Sequence, residues 1–473
     1  MFGTLALDRG AADTLHHQLY ASLREAILAG RLVPGVRLPS TRTLAADLVV
    51  ARNTVVTAFE QLIAEGYLTS RVGDGTRVAA VLPEALLEAR RVQLVGAVGP
   101  VPQLSERGRL LAGSRRPGPY TDGQAFVPGM PALDMFPREL WARLVARRAR
   151  RPPPTSQGYA HSAGLPLLRQ AVATYLGAAR GVRCDPDQVI VVAGAQAGLD
   201  LAARLLLDAG DPAWIEEPGY LGARGALISA GARLVPVPVD AEGIDVEAGA
   251  RAEPAARLVY VTPSHHFPLG GTMTLQRRLA LLDWAARSGA WVLEDDYDSE
   301  YRYGGRPFPA MQGLDAAGRV VYVGTFSKTM FPALRAGWLV VPPALVDPFR
   351  AAVRNTGHTV PGVIQAALAD FMNDGHFGAH VRRMRTLYAA RQERLVTAAH
   401  RRLDGLLDVR PADAGMQLAA ALPPGTDDRA VAQAAYDAGV IAPALSSYYL
   451  GSQSSPGLFL GYAGVKERDI GRG

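Results

Sequence analysis

The stretch "TFSKTMFPALRAG", Thr325 to Gly337, decides how this chain is read. Of the 50 basic residues, only two are lysines, Lys328 and Lys466. A lysine kept in so arginine-rich a chain points to a task that arginine cannot perform. An amine whose pKa is depressed can lose its proton and condense with an aldehyde, whereas a guanidinium stays protonated. The neighbouring hydroxyls and guanidinium, Thr325, Ser327 and Arg335, suit a phosphate, since they supply short hydrogen bonds and paired charged donors.

Working outward, short β-rich runs alternate with helical segments: "QVIVVAG", "PAWIEE", "RLVPVPVD", "RLVYVTPS", "AWVLEDD", "RVVYVGTFS" and "AGWLVVP". Each is mostly apolar and β-branched, as strands buried on both faces require. The pattern predicts an α/β domain with a mainly parallel central sheet flanked by helices. Ligands in that architecture sit at the carboxyl ends of the strands, where "EDDYDSEY" and "TFSK" fall. The "GAQAG" segment, Gly194 to Gly198, lies at a strand-to-helix turn. There free N–H groups, including those of Ala195 and Gln196, and the helix dipole favour a dianion.

The front of the chain differs. Leu15, Leu19, Leu23 and Ile27 recur at helical spacing and stop near Gly30. In "LVPGVRLPSTRTLAADLVV", Ser40 caps a second helix that buries Leu44 and Leu48. "RNTVVTAFEQLIAEG" then places Val55, Phe59, Leu62 and Ile63 on one face, and "YLTSRVGDGTRV" alternates around a Gly-Asp-Gly turn. This stretch, Leu15 to Val78, resembles the winged helix of the GntR superfamily. It departs at Ala51, where the family usually has serine, and Asn53 is the expected substitute cap. Groove geometry assigns Arg52, Asn53 and Thr54 to bases or phosphates in double-stranded DNA, and Arg42, Arg71 and Gly73 to the backbone. The predicted organisation is a winged helix over 13–80, a tether over 81–119 with a helical piece at Glu84 to Arg91, and a large domain over 120–473. A smaller C-terminal subdomain is expected from roughly 350 onward.

Several motifs then fall together. "SKTMFPALRAG", "EDDYDSEYRY", "EEPGY", "TPSHHFPLG" and "GAQAGLDL" are similar to the fold-type-I aminotransferase domain. Fused to a GntR-type winged helix, that domain defines the MocR/GabR family of transcriptional regulators, which the chain resembles over nearly its whole length. The resemblance implies pyridoxal 5′-phosphate (PLP) as cofactor, joined as a Schiff base to Lys328. Asp295 would pair with the pyridine nitrogen, with Asp296, Asp298 and Glu300 as competing carboxylates. Tyr297 would bond the ring oxygen, Tyr220 would stack on the ring, and His266 would sit beside it. Tyr159 would reach the phosphate across a dimer interface, and a homodimer is implied.

The resemblance weakens at "SSPGLFLGYAG". An aminotransferase holds its substrate's carboxylate with an arginine there, but Gly457 stands at the aligned position and no arginine occurs between Leu445 and Arg468. Arg224 or Arg354 are the alternatives. "AGMQL" likewise has Gln417 where many members have histidine. Two readings follow: a regulator whose aminotransferase-like domain senses an amino compound or PLP itself, and a working aminotransferase with DNA binding secondary. A PLP-binding scaffold with no ligand response is a third, minor reading.

Composition narrows the setting. The 473 residues exceed one ordinary core. Asp8, Arg9 and Asp13 interrupt any leader-like apolar run, and no stretch predicts a membrane span. Cys184 stands alone and no metal-ligand spacing occurs, so a cytoplasmic, metal-free protein is expected. A net charge of +6 is compatible with a polyanionic partner.

Overall fold

A computed structural model describes residues 7–11, 13–71, 74–83, 103–113, 125–154, 158, 161–304, 308–451 and 455–472. The chain divides into two compact units, Met1–Pro102 and Gln103–Gly473.

In the first unit, helices α1 (Leu15–Leu28), α2 (Thr41–Asp47) and α3 (Arg52–Ala64) precede a hairpin of β1 (Leu68–Arg71) and β2 (Gly75–Val78). Leu19, Leu23, Leu44, Val55 and Leu62 are fully buried in a shared core with Phe59. Each such side chain contributes roughly 1.5–3 kcal/mol of transfer free energy. Ser40 caps α2 by accepting the Thr43 N–H at 3.1 Å. Two expectations fail. Asn53 does not cap α3, whose N-cap is Ala51 with no side-chain hydrogen bond, because Asn53 already lies inside the helix. Ile63 is exposed, since its neighbour Leu62 takes the inward position on that turn.

The second unit opens with α4 (Glu106–Gly113), followed by α5 (Arg138–Arg150) and α6 (Pro166–Arg180). A strand-and-helix alternation comes next: β3 (Val189–Val192), α7 (Ala195–Leu206), β4 (Pro212–Glu217), α8 (Leu221–Ala230), β5 (Arg233–Asp240), β6 (Gly243–Ile244), β7 (Leu258–Val261), β8 (Trp291–Asp295), β9 (Val320–Thr325) and β10 (Gly337–Val340). These strands form one sheet in the order β3-β10-β9-β8-β7-β4-β5-β6. The pairs from β5 through β4, β7 and β8 to β9 are parallel, whereas β10 runs antiparallel to both neighbours.

Alternate residues feed different cores. Ile190, Tyr260, Leu293, Val323 and Leu339 point to one face, while Val191, Trp338 and Val340, with Val259 and Val292 further along, point to the other. Burial on both sides explains the unbroken apolar runs.

Within the stretch expected as a tether, α4 lies against α8, and Arg107 donates to the Ser229 carbonyl at 3.3 Å. The expected helical piece at Glu84 to Arg91 lies outside the described residues. Val346–Thr356 and Gly362–Asn373 bury Phe349, Val353, Leu368 and Phe371 in the cores around the large sheet. A separate core forms where the long helix His376–Arg402 meets a three-stranded antiparallel sheet, β11 (Asp408–Val409), β12 (Gln417–Ala421) and β13 (Gly457–Gly461). Phe126, Ala132 and Tyr301 join it from earlier in the chain.

Candidate functional site

A cavity of about 340 Å³ opens at the carboxyl ends of the parallel strands. Its wall includes Lys328, Thr325, Ser327 and Arg335 from the opening stretch, Asp295 and Tyr297 from the acidic segment, Tyr220 before α8, and Ala195 and Gln196 at the start of α7. β8 and β9 end side by side, so the residues just past them converge although about 30 positions separate them in the chain.

Lys328 is partly buried, and Nζ donates to the Gly129 carbonyl at 2.9 Å. A Cβ on Gly129, where φ is +67°, would collide with that amine. Burial pushes the lysine's pKa down, opposed by Asp298 and Asp295. This is the environment an amine needs to act as a nucleophile. At the α7 end of the cavity, Gly194 caps α7 with φ +89°, a conformation glycine adopts without strain, and the Arg335 guanidinium lies beside it. Thr325 Oγ1 accepts the Ser327 N–H at 3.0 Å, which closes the turn out of β9. Gln196 Nε2 donates to the Gly222 carbonyl at 2.9 Å and ties α7 to α8.

The five carboxylates of this segment differ in what each one touches. Asp296 is buried against Arg180 at 2.8 Å and accepts the Tyr322 hydroxyl at 2.6 Å. Burial alone would raise its pKa, but Arg180 and the hydrogen bonds bring it below the usual range. Asp298 pairs with His265 Nδ1 at 3.0 Å, Glu300 accepts the Tyr175 hydroxyl at 3.0 Å, and Glu294 accepts the Met311 and Gln312 N–H groups at 2.8 and 2.9 Å. Asp295 alone of the five lines the cavity. Its Oδ2 accepts the Tyr260 hydroxyl at 2.8 Å, while its buried Oδ1 has no partner. Burial is the main cause that raises Asp295 to about 7, with the Tyr260 bond opposing and Asp296 adding to the rise. An unpartnered carboxylate oxygen on a cavity wall is matched by a ring N–H or another cationic donor.

The Tyr297 hydroxyl sits 2.9 Å from His265 Nδ1 and accepts from Gln417 Nε2 at 3.2 Å, so two neighbours aim it at the cavity. His266 is not there. It is buried beside Glu216 at 3.8 Å and accepts the Leu269 N–H, and burial, then His265, pushes its pKa down to about 3. Phe267 turns into the cavity in its place. Tyr159 and Gly73 lie outside the described residues. Reasoning from the residues alone missed Tyr260, Phe267, Tyr448 and the Pro128–Gly129 turn. Tyr260 looks like one more apolar strand residue, Phe267 lies in "TPSHHFPLG" one position from the residue chosen there, and Tyr448 and the Pro128–Gly129 turn come from distant loops with no local signal.

On the first unit, Arg42, Arg52, Asn53 and Arg71 are exposed and Thr54 is half-buried at the start of α3. Arg52 Nε reaches Thr41 Oγ1 at 3.5 Å, linking the leading ends of α2 and α3. Among the described residues no His, Cys, Asp or Glu grouping could hold a metal ion, and no helix is long and apolar enough to cross a membrane.

Residues 15–78 match the bacterial regulatory proteins of the gntR family, and residues 142–470 match aminotransferase class I and II. The chain is 49% identical over 469 residues to the probable rhizopine catabolism regulatory protein MocR of Rhizobium meliloti, covering 99% of this chain and 94% of that one. It is 39% identical over 409 residues to the regulator TauR of Rhodobacter capsulatus, covering 82% and 80%. Among solved structures, a kynurenine aminotransferase of Pyrococcus horikoshii superposes with a TM-score of 0.68 at 26% identity, covering 78% of this chain and 92% of that one. With a winged helix at one end and an aminotransferase fold at the other, matched over 99% of its length by such a regulator, the chain belongs to the MocR/GabR family of transcriptional regulators.

Proposed function

We propose that this protein is a transcriptional regulator that binds double-stranded promoter DNA through its winged helix and holds PLP on Lys328 in its aminotransferase-like unit. An amino compound, or PLP itself, then alters promoter binding. The observation that carries this reading is the convergence of Lys328 with a carboxylate whose Oδ1 lacks a partner, in a cavity whose far end offers a helix N-terminus and Arg335. PLP supplies an aldehyde carbon that condenses with an amine and a pyridine ring that withdraws electrons. Lys328 provides the amine. Asp295 holds the ring nitrogen protonated, Tyr297 meets the ring oxygen, Tyr220 covers the ring face, and Arg335, Thr325, Ser327 and the α7 N–H groups take the phosphate. Arg42, Arg52, Asn53, Thr54 and Arg71 face the DNA. The protein works as a cytoplasmic homodimer, whose two winged helices address two half-sites.

Lys328→Ala should remove the visible absorbance that PLP gives with the wild-type protein and that borohydride abolishes. A persistent yellow adduct in that variant would refute the assignment. Binding of the full chain to DNA upstream of its own gene should change with PLP or an amino ligand; no change with either sinks the regulator reading. The second reading, an aminotransferase, is favoured by the fold and predicts repeated turnover of an amino donor with a keto acid.

A further inference from the structure

We infer that the effector accepted by this cavity is a primary amine without an α-carboxylate, seated with an apolar face against an aromatic wall. The inference rests on the reading of the cavity as a PLP site. Three charged side chains line it among the described residues: Lys328, Asp295 and Arg335. PLP engages all three, through the imine, the ring nitrogen and the phosphate. No cation of the described wall is left for a second anion.

The apolar side of the cavity is lined by Phe267, Tyr220, Tyr448 and Leu221. Behind it Phe459, on β13, is fully buried with its ring 5.0 Å from Phe267 and 5.6 Å from Tyr448, both edge to face. Phe267 in turn meets Tyr220 at 5.2 Å and Tyr448 at 5.5 Å. Leu221 and Leu445 fill in around them. Gly457 offers no place for a cation either, since a Cβ there would lie 2.5 Å from Leu445 Cδ1 and 2.6 Å from the Ala420 carbonyl. Of the two alternative arginines, Arg224 is buried beside Glu217 and donates to the Tyr448 and Tyr449 carbonyls, and Arg354 is exposed on its helix; neither lines the cavity. An anion set against this wall would lose its hydration without gaining a charged partner. An apolar face loses nothing there, and edge-to-face rings accommodate it.

The exchange balances without a redox partner. With PLP bound, the effector's nitrogen would bond to the carbon held by Lys328, the bond from that carbon to Nζ would break, and the two N–H protons of the incoming amine would pass to Nζ, which leaves as a free amine.

The test uses full-length protein saturated with PLP. Its visible absorbance is titrated with 2-phenylethylamine against phenylalanine, and with 3-methylbutylamine against leucine, compared at equal free-base concentrations. Each amine should act at a concentration at least about ten-fold below its amino acid, a difference of about 1.4 kcal/mol. An amino acid of either pair acting as well as its amine, or neither amine acting, overturns the inference. Phe267→Arg places a cation on the wall and should narrow or reverse the ratio; the same ratio in a variant that still carries the PLP band also overturns it. If the wild-type band never forms, the PLP reading itself has failed. If it forms and amino acids win, only this inference falls.

Discussion

Asp295 is the one acidic residue of the 294–300 segment that lines the cavity, and its Oδ1 has no partner there, which makes its charge state a measurable quantity. Replacing it by asparagine removes a charge-assisted bond worth roughly 1.5–3 kcal/mol. Asp295→Asn should therefore raise the PLP dissociation constant by about 10- to 100-fold, while Lys328 still forms its imine at high PLP. Because Asp295 titrates at about 7 in the cofactor-free cavity, wild-type affinity should weaken as the pH falls through that value. The asparagine variant lacks this component. A variant with unchanged affinity and an unchanged pH profile would remove Asp295 from the ring nitrogen. Residue types and spacing narrow the choice to a few carboxylates. Selecting among them needed Arg180, Tyr175 and His265, partners 33 to 125 positions away in the chain.

At the scale of elements, α2 and α3 differ in their beginnings. Ser40 caps α2, whereas Ala51 begins α3 with φ −63° and ψ 140°, an extended conformation that suits a capping serine. Ala51→Ser should stabilise the winged-helix unit by about 1 kcal/mol. Slower amide hydrogen exchange across Arg52–Ala64 measures it, and unchanged exchange would show that the leading N–H groups of α3 gain nothing from the hydroxyl. The helices and hairpin of this unit are legible because apolar residues recur at helical spacing and a Gly-Asp-Gly turn separates two short strands. α4 is not legible. Its leucines, Leu110 and Leu111, are largely exposed and adjacent, so they set no period, and what places the helix is contact with α8.

Across the large unit, burial leaves several carboxyl groups holding protons near neutrality. Glu216 is raised to about 8, and Asp295, Glu294 and Glu300 to about 7, each chiefly by desolvation. Unfolded, such groups titrate at about 4, so between these values the folded chain binds more protons than the unfolded one. Their contribution to stability is full below about pH 4 and is lost as the pH rises through 7 to 8. Cofactor-free protein should show a melting temperature that falls from about pH 5 to about pH 8. The fall should be shallower with PLP bound, since a pyridinium favours the Asp295 carboxylate. A profile that is flat or rises over that range would contradict the burial of these groups. Asp296 and Asp370, whose pKa values are lowered with Arg180, Arg147 and Arg148 as partners, act in the opposite sense and weaken the fold only at acid pH.

By itself, the sequence determined the two-part architecture, the mainly parallel sheet and the choice of Lys328 as the candidate amine. Hydrophobic period, turn residues and the contrast between one amine and many guanidiniums are all properties of local stretches of chain. Only the tertiary structure decided which carboxylate faces the cavity, that Phe267 rather than His266 turns into it, and that Leu445 and the Ala420 carbonyl crowd Gly457, where an arginine was expected. Those outcomes depend on which residues, far apart in the chain, compete to fill the same buried space. The stretch "TFSKTMFPALRAG" supplies an amine, two hydroxyls and a guanidinium to the cavity, while the loops and strands around it decide what that amine can meet.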